Sequence, residues 1–179
     1  LNAICEMLVA GGMPEAEAIA VRFPASEAHA LASLLSEDLF GSIPTWISFC
    51  LGSPATVASG DSLLACVDAI QRIPHLVGIG INCGTPAHTV EAITALRRVT
   101  EHALIAYPNR GGIYQGNARQ WACAGSPVDT KQWANELFVA GADVVGGCCQ
   151  TTPEDVRLLR QLRDKRFSHG MVDASNDSP

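Results

Sequence analysis

The stretch "GADVVGGCCQTTPEDV", residues 141–156, sets the frame. Two β-branched residues, Val144 and Val145, run into two glycines and two adjacent cysteines. Thr152 and Pro153 then open a helix, as N-cap and first helical position, with Glu154 and Asp155 suited to its positive end. This is a strand, a short loop and a helix: one βα unit with chemistry in its loop. Neighbouring Cα atoms lie about 3.8 Å apart, short of the roughly 4.4–6.8 Å that disulfides span. A bond between Cys148 and Cys149 would be strained, so the pair needs another explanation.

The same alternation extends backwards through the chain. The residues predict a helix ending at 3–10, strands at 18–23, 45–50, 75–82, 103–108 and 142–147, and helices at 26–39, 60–73, 85–100, 129–141 and 152–167. Ser26, Asp61 or Ser62, and Thr85 are the expected caps, and Gly141 closes the fourth of these helices. A long loop is expected around Gly111, Gly112 and Gly116, and a frayed polar tail over 168–179. The strands are apolar without clean alternation, which predicts burial on both faces and a parallel sheet. An open doubly wound sheet and part of a (β/α)8 barrel both fit. The glycines of "GIGINCG" lie inside a strand and do not make a dinucleotide loop.

Composition narrows the function. The 179 residues are 47% hydrophobic and 17% charged, with net charge −6 and an isoelectric point near 5.2. This is a folding composition with no basic patch for nucleic acid. No apolar run is long enough for a membrane helix, and no secretory leader pattern is present. The seven cysteines form no secreted framework, so a reducing, cytoplasmic setting with free thiols is expected. The chain opens without methionine, which predicts a fragment.

In parallel α/β folds, function gathers where strands end. That rule singles out Cys83, after the strand ending at Asn82, and Cys148 and Cys149. Gly146 and Gly147 are expected to let the backbone leave strand geometry so that both sulfurs turn to one point. Three converging thiolates suit zinc with an open fourth position; buried structural thiols are the alternative. Cys5, Cys50, Cys66 and Cys123 read as small buried hydrophobes. The five histidines, at 29, 75, 88, 102 and 169, supply no fourth ligand.

These motifs resemble the homocysteine S-methyltransferase family. "GIGINCGTP" (78–86) is similar to its strand ending in Asn-Cys, and "IAYPNRGGIY" (105–114) to its Tyr-Pro-Asn-Ser-Gly-Glu-x-Tyr segment. Residues 141–159 are similar to its Gly-Gly-Cys-Cys signature and the helix beyond. The resemblance runs from about residue 3 to 166. It implies the last five β-α units of a (β/α)8 TIM barrel, with residues 1–167 forming the C-terminal part of a homocysteine-binding domain. It implies Zn2+ on Cys83, Cys148 and Cys149, and Asn82, Tyr107 and Asn109 beside it, positioning homocysteine or orienting the site. The activity implied is methyl transfer from a sulfonium donor, S-methylmethionine or S-adenosylmethionine, to homocysteine. That activity would require the missing N-terminal part; an inactive zinc-binding remnant is the alternative. Small molecules are the expected partners. Departures are Val21 and Arg22 in place of Glu-Thr, Arg110 and Gly112 in place of Ser and Glu, and "GGMPEAEAIAV" in place of Gly-Ala-Asp.

Overall fold

A computed structural model describes residues 17–21, 25–37, 44–115, 117–123 and 129–173. The expected helix at 3–10, Arg22 and residues 174–179 lie outside them. The elements are β1 (Glu17–Val21), α1 (Ala25–Leu35), β2 (Thr45–Ser53), β3 (Thr56–Val57), α2 (Leu63–Ile70), β4 (Leu76–Asn82), α3 (Pro86–Leu96), β5 (Ala103–Tyr107), β6 (Gly112–Gln115), β7 (Gln120–Cys123), α4 (Thr130–Ala140), β8 (Val144–Val145) and α5 (Pro153–Asp173).

The five strands β1, β2, β4, β5 and β8 are parallel and neighbour one another in chain order. A doubly wound sheet reverses its order at a switch point; this one does not. The second distinction is which faces carry helices. Ile47, Phe49, Ile79, Ile81, Leu104 and Ala106 pack in one core with Ala28 and Leu35 of α1, Leu63, Cys66, Val67 and Ile70 of α2, Ala92, Ile93 and Leu96 of α3, Trp133 and Leu137 of α4, and Leu159 of α5. The opposite face carries a separate cluster of Trp46, Ile105 and Tyr107, with Val144 and Cys148 against it. Helices on one face, a second apolar face and a progressive strand order make this a segment of a (β/α)8 barrel. Each fully buried Ile, Leu or Phe contributes about 1.5–3 kcal/mol.

Local chemistry fixes most helix ends as expected. Ser62 caps α2 and Thr85 caps α3, each accepting an N–H three residues on. Asp129 caps α4, and Gly141, at φ 105°, closes it in the left-handed region that glycine adopts without a Cβ penalty. Thr152 and Asp155 form a reciprocal box at the start of α5: the Asp155 N–H donates to Thr152 Oγ1 at 3.3 Å, and the Thr152 N–H donates to Asp155 Oδ2 at 2.8 Å.

Four expectations need correction. Ser26 is not a cap, because α1 begins at Ala25, whose N–H reaches the Asp61 carboxylate at 3.2 Å. A distant acidic side chain there does the work expected of a local one. β2 runs on to Ser53 and turns back through β3. The expected loop beyond Asn109 contains a hairpin, β6 on β7, with Tyr114 opposite Trp121. Gly111 and Gly112 mark the base of the hairpin, and the aromatic pair, with ring centroids 5.4 Å apart, supplies the cross-strand contact. Finally, α5 continues past residue 167 to Asp173.

Candidate metal centre

Two loops on one rim build the centre. The first follows β4. Cys83 adopts φ 57°, a left-handed conformation that costs a non-glycine residue on the order of 1 kcal/mol. It turns the chain abruptly off the strand. The bend is held from β5: the Cys83 N–H donates to the Tyr107 carbonyl at 3.1 Å, and Asn109 Nδ2 donates to the Cys83 carbonyl at 3.0 Å. Asn109 Oδ1 accepts the Gly111 N–H at 2.7 Å, so this side chain is engaged at both ends.

The second loop follows β8 and lies along the extension of β5. The Gly146 N–H reaches the Ala106 carbonyl at 2.8 Å, the Cys148 N–H the Pro108 carbonyl at 3.0 Å, and the Arg110 N–H the Cys149 carbonyl at 3.2 Å. Thr151 closes the turn with its hydroxyl on the Cys148 carbonyl at 2.6 Å. Gly147 is required by space: a Cβ there would lie 2.5 Å from Thr151 Oγ1. The left-handed residues steering the sulfurs are Cys83 and Gln150 (φ 67°). β8 ends at Val145, so the chain leaves the strand at Gly146 as expected, with neither Gly146 nor Gly147 in the left-handed region.

The result is that Cys83, Cys148 and Cys149 place their sulfurs within 4.8 Å of one another. Cys83 Sγ lies 3.2 Å from Cys149 Sγ, and Cys148 Sγ 4.0 Å from Cys149 Sγ. These spacings exceed an S–S bond of about 2.05 Å. They bracket the roughly 3.8 Å edge of a tetrahedron with Zn–S bonds near 2.3 Å. No imidazole or carboxylate joins the group among the described residues, so the donor set is three soft sulfurs. It fits a thiophilic metal with one position left over.

The electrostatics agree with a shared site. A hydrogen bond between Cys83 and Cys148 lowers the Cys148 pKa against the opposing effect of burial. Cys83 itself is raised by that same hydrogen bond and by burial. Cys149 is raised by burial and by Cys83. Metal must therefore displace protons from at least two of the three.

The remaining expected site residues divide. Tyr107 is 6% exposed and donates its hydroxyl to Ser48 Oγ; burial raises its pKa against that hydrogen bond, keeping it a neutral donor. Asn82 gives Nδ2 to Cys50 Sγ at 2.9 Å. Cys50 is therefore half-buried and hydrogen-bonded, not the simple buried hydrophobe expected, whereas Cys66 lies in the core as expected. Arg110 pairs with Asp155 at 3.4 Å. Asp155 also accepts from the Thr130 hydroxyl at 2.7 Å, so the guanidinium is tied to the start of α5. At Gly112 a Cβ would meet Gln150 Oε1 at 2.4 Å; glycine there lets the hairpin base sit on the metal loop. Ser48 and Cys50 were overlooked in the sequence, although both share the period-2 face of Trp46.

Residues 6–163 match the sequence model of the family described as homocysteine S-methyltransferase. Homocysteine S-methyltransferase 3 of Arabidopsis thaliana is 35% identical over 138 residues, which is 76% of this chain and 40% of that protein. Selenocysteine Se-methyltransferase of Brassica oleracea var. italica is 33% identical over 150 residues, 79% of this chain and 41% of that protein. Among solved structures, the metallated form of the homocysteine methyltransferase MmuM from Escherichia coli superposes with a TM-score of 0.63 at 28% identity. That match covers 88% of this chain and 48% of that chain. The chain spans 40–48% of the length of these three relatives. With the barrel segment, the three-sulfur cluster and these matches in agreement, the chain belongs to the homocysteine S-methyltransferase family.

Proposed function

We propose that this chain carries the metal and thiol-acceptor half of a methyltransferase that moves a methyl group from a sulfonium donor, S-methylmethionine or S-adenosylmethionine, to homocysteine. The observation that carries the reading is the convergence of Cys83, Cys148 and Cys149 on one rim, with no fourth His, Cys, Asp or Glu ligand beside them among the described residues. Cys83, Cys148 and Cys149 would hold Zn2+. When bound, the ion supplies Lewis acidity that keeps an acceptor thiol deprotonated at neutral pH.

The chain's own residues do the rest. Three thiolates against a dication leave the centre negative, which favours a cationic donor. Asn109 holds the Cys83 bend, and Tyr107, locked to Ser48, walls the site against water. In the transfer the acceptor sulfur loses its proton, forms a bond to the methyl carbon, and the donor C–S bond breaks to leave a neutral thioether. The selenol named for one relative is a chemical neighbour of the thiol, which supports a soft acceptor atom.

A second reading, metal binding without turnover, draws on the departures beside the centre: Arg110, paired with Asp155, and Gly112 stand where the resemblance has Ser and Glu. One experiment separates the two. Zinc per chain is measured, then homocysteine and S-methylmethionine are supplied and methionine is quantified. Methionine formation with about one zinc per chain is expected. Zinc without methionine supports the second reading, and no zinc overturns both.

A further inference from the structure

Asn82, the last residue of β4, is the register partner of Cys50 within β2 and of Tyr107 at the end of β5. Aligned residues of parallel strands project to the same side, here the face where Tyr107 packs with Cys148. The Tyr107 hydroxyl is taken by Ser48. Asn82, 6% exposed, gives Nδ2 to Cys50 Sγ, and its Oδ1 has no partner. Among the described residues Oδ1 is the one buried side-chain acceptor left unpaired; the other such atoms are indole and guanidinium N–H groups. A buried oxygen without a donor is costly, and this one lies one residue from a metal ligand. What it lacks is a hydrogen-bond donor.

We propose that Cys50 is a positioning residue for the acceptor substrate: its sulfur holds the Asn82 carboxamide so that Oδ1 faces the sulfur trio and accepts a hydrogen bond from the substrate's ammonium group. This rests on the homocysteine reading above and adds the group that recognises the amine. The trio attracts the thiol end of the substrate, and the carboxamide oxygen then selects an acceptor that also carries a cationic donor. In the structure the sulfur accepts the amide hydrogen, and this leaves Oδ1 as the free end of the carboxamide. A reversed carboxamide would turn its NH2 toward an ammonium and repel it.

The test compares two thiols on the zinc-loaded chain by calorimetry: homocysteine, and 4-mercaptobutanoate, which lacks the ammonium and keeps the rest. Wild type is expected to prefer homocysteine by about tenfold, the scale of a charge-assisted hydrogen bond. In Cys50→Ala the preference should fall toward one, with 4-mercaptobutanoate affinity and zinc content unchanged. Cys50→Ser, whose oxygen accepts the same amide hydrogen, should restore it. Asn82→Leu should abolish it. The inference is overturned if wild type binds the two thiols equally, if Cys50→Ala keeps the wild-type ratio, or if it weakens both thiols by one factor. In those cases thiol binding itself still stands. Binding of neither thiol by wild type overturns the acceptor reading and this inference together.

Discussion

Gly80 and Ser48 face each other across β4 and β2 beneath the metal loops. A Cβ at Gly80 would stand 2.0 Å from Ser48 Oγ, the atom that receives the Tyr107 hydroxyl. Gly80→Ala is therefore expected to lose about 1–3 kcal/mol by overpacking. Ser48→Gly in the same chain should recover part of that loss, because the two sites are coupled; urea unfolding of the four variants measures it. Additive effects would show that the clash is relieved elsewhere. The cysteines separate by place in the same way. Cys148→Ser is expected to abolish zinc retention, measured as metal per chain after gel filtration, because one of three sulfurs is gone. Cys66, on the buried face of α2, should keep zinc when changed to Ser and lose about 1–3 kcal/mol of stability instead. Equal zinc loss in both would contradict the assignment of ligands.

At the scale of elements, the start of α5 is where a helix, a hairpin and the metal loop are fastened together. Burial would raise the Asp155 pKa, but hydrogen bonds from Thr130 and from the Thr152 N–H and hydroxyl, with the Arg110 charge, lower it below the usual carboxylate value. A depressed carboxyl stabilises the fold above the unfolded pKa near about 3.9 and loses that contribution as pH falls through the folded value. Wild type should thus lose stability more steeply between about pH 5 and pH 3 than Asp155→Asn does, read as urea midpoints against pH. At neutral pH the variant should be weaker by about 1–3 kcal/mol. Parallel pH profiles for the two proteins would remove Asp155 from this role. The same anchor explains how Arg110 is accommodated: its guanidinium meets a carboxylate on α5.

At the scale of the molecule, the sulfur cluster ties the end of β4 to the end of β8, across the intervening β5. A ligand that binds only the folded chain stabilises it by mass action, about 2.7 kcal/mol at a hundredfold excess over Kd. Zinc should raise the thermal midpoint and a chelator should return it, whereas Cys83→Ser should show neither effect. A wild-type midpoint indifferent to zinc would mean that the three sulfurs do not close on the ion.

Much of this was legible in the chain alone. Local rules are written in short stretches: Thr85 and Pro86 open α3, Gly141 closes α4, and the strand ends pick out Cys83, Cys148 and Cys149, whose sulfurs the fold brings together. The resemblance chose the barrel, and the progressive strand order agrees. What the sequence could not supply depends on residues far apart meeting in space. Asp61 reaches Ala25, Asp155 receives Arg110, Ser48 meets Gly80, and Cys50 takes the amide of Asn82. By itself the sequence determined the parallel strands, the helices and which sulfurs stand at strand ends, though not β3 or the β6–β7 hairpin, because caps, glycines and apolar spacing act within a few residues. Only the tertiary structure decided which partner each polar atom has, because strand register and loop bends bring those partners together, and no local pattern encodes register.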